Sequence, residues 1–282
     1  MNFSPDNIYI KVIDHSVSKE SFQLLFNEDL QLLKTNPQPS AHALPSYYES
    51  NNYISHTDAK RTLFEKLYHL VKKQALKNKV NLITKQNPQK GNLLDLGAGT
   101  GDFLQQAQLS GWNTIGYEPN NKAKQIALSK GVRFSDTLEA LTPHSFDVIT
   151  MWHVLEHVPD VDDTIKTLKK LLKPQGTLII AVPNFKSFDA RYYKSFWAAY
   201  DVPRHLWHFS KISIQKLFIK QQLSLQNIKP MWFDSFYVCL LSEKYKNGKI
   251  NFIKGFAIGL LSNAIGIVKK EFSSHIYIIK NT

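Results

Sequence analysis

Residues 93–104, LLDLGAGTGDFL, carry a short apolar run to Asp95, place glycine at 97, 99 and 101, and enter a helical stretch near Asp102. Glycine lacks Cβ, so three of them at alternate positions let the main chain turn sharply and approach a ligand closely. A plain strand-to-helix turn needs one glycine, or two. The loop therefore points to a sheet whose first strand ends at a ligand crevice, the place where open α/β sheets bind their cofactors.

The surrounding sequence agrees with that demand. Short β-branched or apolar runs at 92–96, 113–117, 132–134, 146–151 and 177–182 alternate with amphipathic stretches near 102–110, 121–130 and 161–173. Such alternation predicts a parallel sheet covered on both faces. The helix at 161–173 is expected to end on Lys169, Lys170 and Lys173, with Pro174 stopping it and Gly176 turning into the next strand. Upstream, Leu63, Leu67, Leu70 and Val71 fall at helical spacing within 58–77. Downstream, Ser210 is placed to cap a helix to Gln222, followed by a strand near 225–231, a helical insertion at about 234–270, and a last alternating strand, His275 to Lys280. The division expected is an N-terminal extension, 1–57, and a main domain, 58–282.

The most apolar stretch is 252–268, FIKGFAIGLLSNAIGIV. Lys254, Ser262 and Asn263 interrupt a run already short of the ~20 residues that span a bilayer, so no transmembrane segment is expected. A packed core helix is the preferred reading; a surface helix touching lipid, flanked by Lys249, Lys254, Lys269 and Lys270, is the alternative.

Two cofactor classes compete for the loop. A dinucleotide-binding fold uses Gly-x-Gly-x-x-Gly here, but counting from Gly97 the third glycine falls at 101, and 102 is Asp102, whose carboxylate would repel a pyrophosphate. S-adenosylmethionine carries a sulfonium, an ammonium and no phosphate, and so suits an acidic surround. Asp95, Gly97, Ala98, Gly99 and Gly101 are the residues expected against it. Glu118, with Pro119 ending the second strand, is placed to accept from both ribose hydroxyls, and Asp136 to face the adenine amino group.

Thirty-five Lys and Arg against 23 Asp and Glu give a net charge of +12, which favours anionic partners or an acidic membrane surface. The lysines are spread out, without the interleaved aromatics of a nucleic-acid face, so a nucleic-acid partner is not expected. A single cysteine, Cys239, excludes an intrachain disulfide and a multi-cysteine zinc cluster. The opening residues, MNFSPDNIYIKVIDHS, lack a basic segment followed by an apolar run, and the expected location is cytoplasmic.

LLDLGAGTGDFL, GYEPN, FDVITMWHVLEHVPD, LKPQGTLIIAVPN and DVPRHLWHFS occur in this order. Over about residues 90–225 the chain resembles the small-molecule methyltransferases related to the ubiquinone-biosynthesis O-methyltransferases. The resemblance implies a Rossmann-like, seven-stranded, mostly parallel sheet with helices on both faces and the last strand antiparallel, beside 225–231. It implies S-adenosylmethionine as cofactor and a small-molecule methyl acceptor, most simply at oxygen. The spacing of Pro37, Pro39, Leu44, Tyr47 and Tyr48 is similar to a linker that in relatives follows a zinc-binding cysteine cluster. This chain has no cysteine there, so the extension is expected to be metal-free, with Tyr53 or His56 as part of a lid.

Methyl transfer from a sulfonium is an in-line displacement in which the protein mainly aligns the partners and excludes water. An oxygen acceptor must still lose a proton, and histidine suits that task. Trp152 and His153 are expected on the cofactor-side wall. His153, Glu156 and His157 fall at i, i+3 and i+4; they read as a wall with one general base, as a divalent-metal site, or as groups that cap and orient the helix, and no metal is assigned. In relatives the segment matching 197–208, WAAYDVPRHLWH, builds the acceptor pocket. Trp197, Tyr200 and Trp207 would wall it, Arg204 would pair with a carboxylate or phosphate, and His205 is the first choice of base, His157 the second. The rival functions are a nucleic-acid methyltransferase, whose Asn-Pro-Pro-Tyr type motif is not found at Met151–His153, and a binding protein without turnover.

Overall fold

The computed structural model describes residues 1–40, 42–48 and 63–281. The N-terminal extension folds as an antiparallel meander of β1 (Ile8–Ile13), β2 (Ser21–Asn27) and β3 (Leu32–Asn36). A long helix, α1 (Leu63–Gln86), follows; it runs past residue 77, where the apolar spacing had suggested an end. Tyr53 and His56 lie outside the described residues.

The core alternates as the sequence predicts: β4 (Asn92–Leu96), α2 (Asp102–Leu109), β5 (Asn113–Tyr117), α3 (Asn121–Ser129), β6 (Phe146–Trp152), α4 (Val161–Leu171) and β7 (Leu172–Pro183). After β7 come α5 (Phe188–Tyr193), the two-residue strand β8 (Trp207–His208), α6 (Lys211–Lys220) and β9 (Leu223–Pro230). Two helices, α7 (Asp234–Asn247) and α8 (Phe252–Lys269), precede the last strand, β10 (Ser274–Asn281). Ser210 caps α6 through a reciprocal pair of bonds with Ser213.

The main sheet has the order β5-β4-β6-β7-β10-β9, with β10 antiparallel to both neighbours. Strand alternation builds two cores from it. Leu93, Val148 and Ile179 point to the side covered by Val80 and Ile83 of α1 and Phe103 and Leu104 of α2. Leu94, Ile149, Leu178 and Ile180 point to the other, under Ile165 and Leu168 of α4 and Leu217 and Phe218 of α6. From Gly176 to Pro183, β7 is buried at every position, as a strand covered on both faces should be.

Four features depart from expectation. The sheet has six strands, because 132–134 pairs only as a bridge, Phe134 opposite Gly116. That run follows Gly131 at φ +78° and is too short to extend a ladder beyond one position. A second, four-stranded sheet, β1-β2-β3-β8, was not foreseen; it borrows Trp207 and His208 from the segment expected to form the acceptor pocket. The helix α4 stops at Leu171, and Pro174 lies within β7, where the pairing with β6 shifts register. Finally, α8 is not a core helix, since its large apolar side chains face outward.

Candidate functional site

The loop after β4 needs glycine for three separate reasons. Gly97, Gly99 and Gly101 have φ of +66°, +55° and +77°, the left-handed region that side chains disfavour. A Cβ on Gly97 would come within 2.4 Å of Val154, and one on Gly101 within 2.7 Å of Ala127. Packing therefore accounts for those two. Among the described residues, Gly99 has nothing within 4 Å of such a Cβ, so packing does not account for it.

The loop is tied to the end of β5. Gly97 N and Ala98 N both donate to Tyr117 O, at 2.8 and 3.2 Å. Glu118 accepts from Gly99 N and, after Pro119, from Asn120 N, each at 2.8 Å. Each carboxylate oxygen keeps a lone pair for a hydroxyl donor. Beneath the loop, Asp95 is buried and accepts from Thr150 Oγ1 at 2.6 Å; burial pushes its carboxyl up to about 7, against the opposing pull of Thr150 and Lys79. Lys79 of α1 lies 4.4 Å from the centre of the Trp152 ring. Burial lowers its pKa, while Asp95 and Asp234 act to keep it charged. Sequence reasoning missed Lys79 because the predicted helix stopped short of it. The Trp152 ring packs edge-on against Phe103, and its buried Nε1 has no hydrogen-bond partner among the described residues.

Two acidic residues stand otherwise than expected. Asp102 pairs with Lys72 at 2.7 Å and Lys130 at 2.6 Å, so its charge is met and it does not itself repel a phosphate. What separates this loop from a dinucleotide-binding one is the glycine spacing, since an acidic residue at the place of Glu118 suits the ribose of either cofactor. Asp136 follows the bridge at the same end of the sheet, but its carboxylate is exposed and held by Lys124 at 2.7 Å.

The segment after β6 turns back over the loop. His153, at φ +58°, does not join Glu156 and His157 in one constellation. Its Nδ1 meets Glu156 Oε1 at 3.2 Å and its Nε2 meets Asp234 Oδ2, on α7, at 2.9 Å. Burial opposes the charge on His153, but the flanking Asp234 and Glu156 raise its pKa to about 10. The group that does converge is Glu156, His157 and His205, which each bring one oxygen or ring nitrogen within 4.8 Å of the other two. Nδ1 of His157 lies 3.0 Å from Arg204 O, and Nδ1 of His205 lies 2.9 Å from Ala199 O. A carbonyl only accepts, so the Nδ1 of His205 donates to Ala199 O, whereas the Nδ1 of His157 also lies 3.0 Å from the Tyr48 hydroxyl, which can donate to it. Burial and the neighbouring His205 push the pKa of His157 to about 4, keeping it neutral. Among the described residues, the buried Glu156 Oε2 has no partner.

The rest of 197–208 is structural. Arg204 is spent on Asp201, on Asp14 and on Tyr47 O, which pins the meander to the segment after β7 and leaves no free fork for a ligand. Trp197 donates from Nε1 to Asp189, and with Tyr200 it fills the core between the meander and α7. Trp207 donates to Val158 O from within β8. His208 contacts Thr35 Oγ1 at 3.0 Å, and burial keeps its pKa well below the usual value. Of the expected pocket residues, only His205 reaches the cluster beside the loop.

A family model described as a methyltransferase domain matches residues 61–228, more than half of the chain. The chain belongs to this methyltransferase family. The ubiquinone biosynthesis O-methyltransferase of Vibrio cholerae is 35% identical over a stretch that makes up 33% of this chain and 42% of that protein. The one from Paraburkholderia phymatum is 33% identical, over 33% of this chain and 44% of that protein. The match thus spans less than half the length of these methyltransferase relatives. Among solved structures, the magnesium protoporphyrin IX methyltransferase of Synechocystis PCC 6803 with bound SAH superposes with a TM-score of 0.57 at 15% identity, covering 86% of this chain and 100% of that one. A possible histamine N-methyltransferase from Thermotoga maritima gives 0.52 at 20% identity, over 77% and 95%. At such identities the likeness is one of fold, and it covers the α/β domain that carries the glycine loop of this methyltransferase.

Proposed function

We propose that this methyltransferase moves the methyl group of S-adenosylmethionine to an oxygen of a small molecule. The observation that carries the reading is the Gly99–Glu118 bond at the ends of adjacent strands, with no described atom within 4 Å of a Cβ at Gly99 and the Glu156, His157, His205 cluster in the segments that follow. When bound, the cofactor supplies an electrophilic methyl. The chain's own residues hold and orient it: Gly97, Ala98, Gly99 and Gly101 as the backbone cradle, Glu118 for the ribose hydroxyls, Asp95 for the positive amino-acid end, and Trp152 and His153 along the wall. Asp136 is assigned to the adenine amino group, which requires its pairing with Lys124 to open. His205, held by its Nδ1 contact with Ala199 O, is the base that takes the acceptor's proton; His157 is the second candidate. The lone buried Cys239 suits a reducing compartment such as the cytoplasm.

One observation favours a second mode of acceptor binding. A buried carboxylate oxygen with no partner among the described residues, beside two histidines that each bring a ring nitrogen within 4.8 Å, is a donor set suited to a divalent transition ion. Dialysis against a chelator separates the two: activity lost and then restored by Zn²⁺ or Mn²⁺ supports the ion, and unchanged activity leaves His205 acting alone.

The test of the function is incubation with methyl-labelled S-adenosylmethionine and fractionated cell extract. Label in a small organic fraction, stable to conditions that cleave carboxyl esters, is the expected result. Label in RNA or DNA would favour a nucleic-acid methyltransferase, and cofactor binding without transfer to any fraction would favour a binding protein.

A further inference from the structure

The helix α8 is built inside out. In a water-exposed helix the apolar stripe faces the core and the polar side faces solvent. Here Gly255, Gly259, Ser262, Asn263 and Gly266 are the buried residues. A Cβ on Gly255 would lie 3.1 Å from Leu240 Cα, and one on Gly259 3.1 Å from Phe236 Cα, so the two backbones of the α7–α8 pair approach closely through a Gly-x-x-x-Gly face. The polar groups are turned inward: Ser262 Oγ donates to Asp189 at 2.7 Å and Asn263 Nδ2 to Trp232 O at 2.9 Å, while Asn263 Oδ1 is buried without a partner among the described residues.

The opposite side is entirely apolar. Ile253, Phe256, Leu260 and Ile267 recur at helical spacing and are exposed, Ile253 to 87% and the adjoining Val268 to 80%. Trp232 and Phe233, just before α7, are also exposed and lie beside this helix, where Asn263 holds Trp232 O. Charge is confined to the ends. Lys254 and Lys269 are the only charged residues within α8, and Lys249 and Lys270 flank it. At the Lys269 end an open cavity of about 300 Å³ is lined by Lys186, Arg191, Lys211 and Lys269 against one carboxylate, Glu271.

We propose that α8, with the start of α7, docks on an anionic phospholipid bilayer and lies in its surface, the Ile253–Ile267 stripe among the acyl chains and the terminal lysines at the headgroups. An uncharged apolar stripe bounded by lysines is complementary to such a surface. The basic cavity beside Lys269 suits a lipid phosphate. A second copy of the chain is disfavoured by the same charges, because a two-fold contact across α8 sets these lysines against one another with no carboxylate in the stripe. The helix lies on the bilayer and does not cross it, since its other side carries polar groups bonded into the protein. This reading is independent of the methyl acceptor.

Flotation of the full chain with vesicles tests it, using phosphatidylcholine alone and phosphatidylcholine with about one-third phosphatidylglycerol. The wild type is expected to float with the anionic vesicles and to be retained far less by the neutral ones. The combined Ile253→Glu, Leu260→Glu, Ile267→Glu variant, altered only at exposed positions, is expected to lose binding roughly tenfold or more while keeping its circular dichroism. Replacing Lys249, Lys269 and Lys270 with glutamate is expected to weaken binding to the anionic vesicles alone. No flotation of the wild type, or equal flotation of the triple variant, overturns the proposal. A wild-type dimer in sedimentation that the triple variant makes monomeric, without vesicle binding, overturns it in favour of a second copy.

Discussion

Glycine stands at 97, 99 and 101 after β4 and at 255, 259 and 266 along α8, and the two sets serve opposite ends. In the loop, all three have positive φ, and at Gly99 a Cβ would meet no described atom within 4 Å. Along α8 the backbone is helical, and the missing side chains let α7 come close, so that the bulky residues are left outside. The same absence of Cβ therefore leaves open backbone at the end of a strand in one region and a tightly seated helix with an apolar outer face in the other.

The sharpest way to break this contrast is Gly99→Leu. Because nothing lies within 4 Å of a Cβ there, the fold should lose only about 1 kcal/mol from the strained φ, whereas affinity for S-adenosylmethionine should fall ~1,000-fold, about 4 kcal/mol. Calorimetry beside a urea melt reads both, and retained affinity would remove Gly99 from the site.

Acid tests the two regions together. His157 beside the loop and His275, whose Nε2 accepts from Phe272 N under the end of α8, both have pKa values pushed by burial from 6.5 to about 4. A histidine whose folded pKa is depressed binds its proton less readily in the native state. Its contribution is present above pH 6.5 and is lost as pH falls from there toward 4. For the fully buried His275 the loss is on the order of 3 kcal/mol, and His275→Asn should flatten that limb of the urea midpoint against pH. His153 runs the other way: with its pKa raised to about 10, the stability from its pairing with Asp234 and Glu156 is present below pH 6.5 and lost as pH rises through 10. His153→Gln should remove the alkaline limb.

His205→Ala is expected to lower kcat ~100-fold and to leave cofactor affinity within about threefold, a division that assigns it to the acceptor's proton. An equal loss in both would make it a structural residue. The smallest effect is expected from Gly259→Ala, where a Cβ would press on Phe236: a loss of about 1–2 kcal/mol in stability with cofactor affinity unchanged.

The loop was legible because its demand is local: positive φ and a close approach leave only glycine, and the acidic residues stand at strand ends that apolar periodicity marks. The cluster was legible only in part. His157 and His205 stood out as histidines, but only the folded chain sets them beside Glu156, and nothing local marks Asp234 as the residue that draws His153 away. Arg204 and Trp207 looked like ligand groups because their partners in the meander, Asp14 and Lys34, lie far upstream, and that pairing has no local signature. For α8, composition showed an apolar helix but not which side would be buried, since the preference for small residues inside comes from α7.

Titration of the purified chain with S-adenosylmethionine in a calorimeter tests the central assignment most directly. Saturable binding at micromolar concentration, lost in Gly99→Leu and weakened in Glu118→Ala, is the expected result. No heat with S-adenosylmethionine, or saturable binding of a nicotinamide dinucleotide in its place, would contradict it.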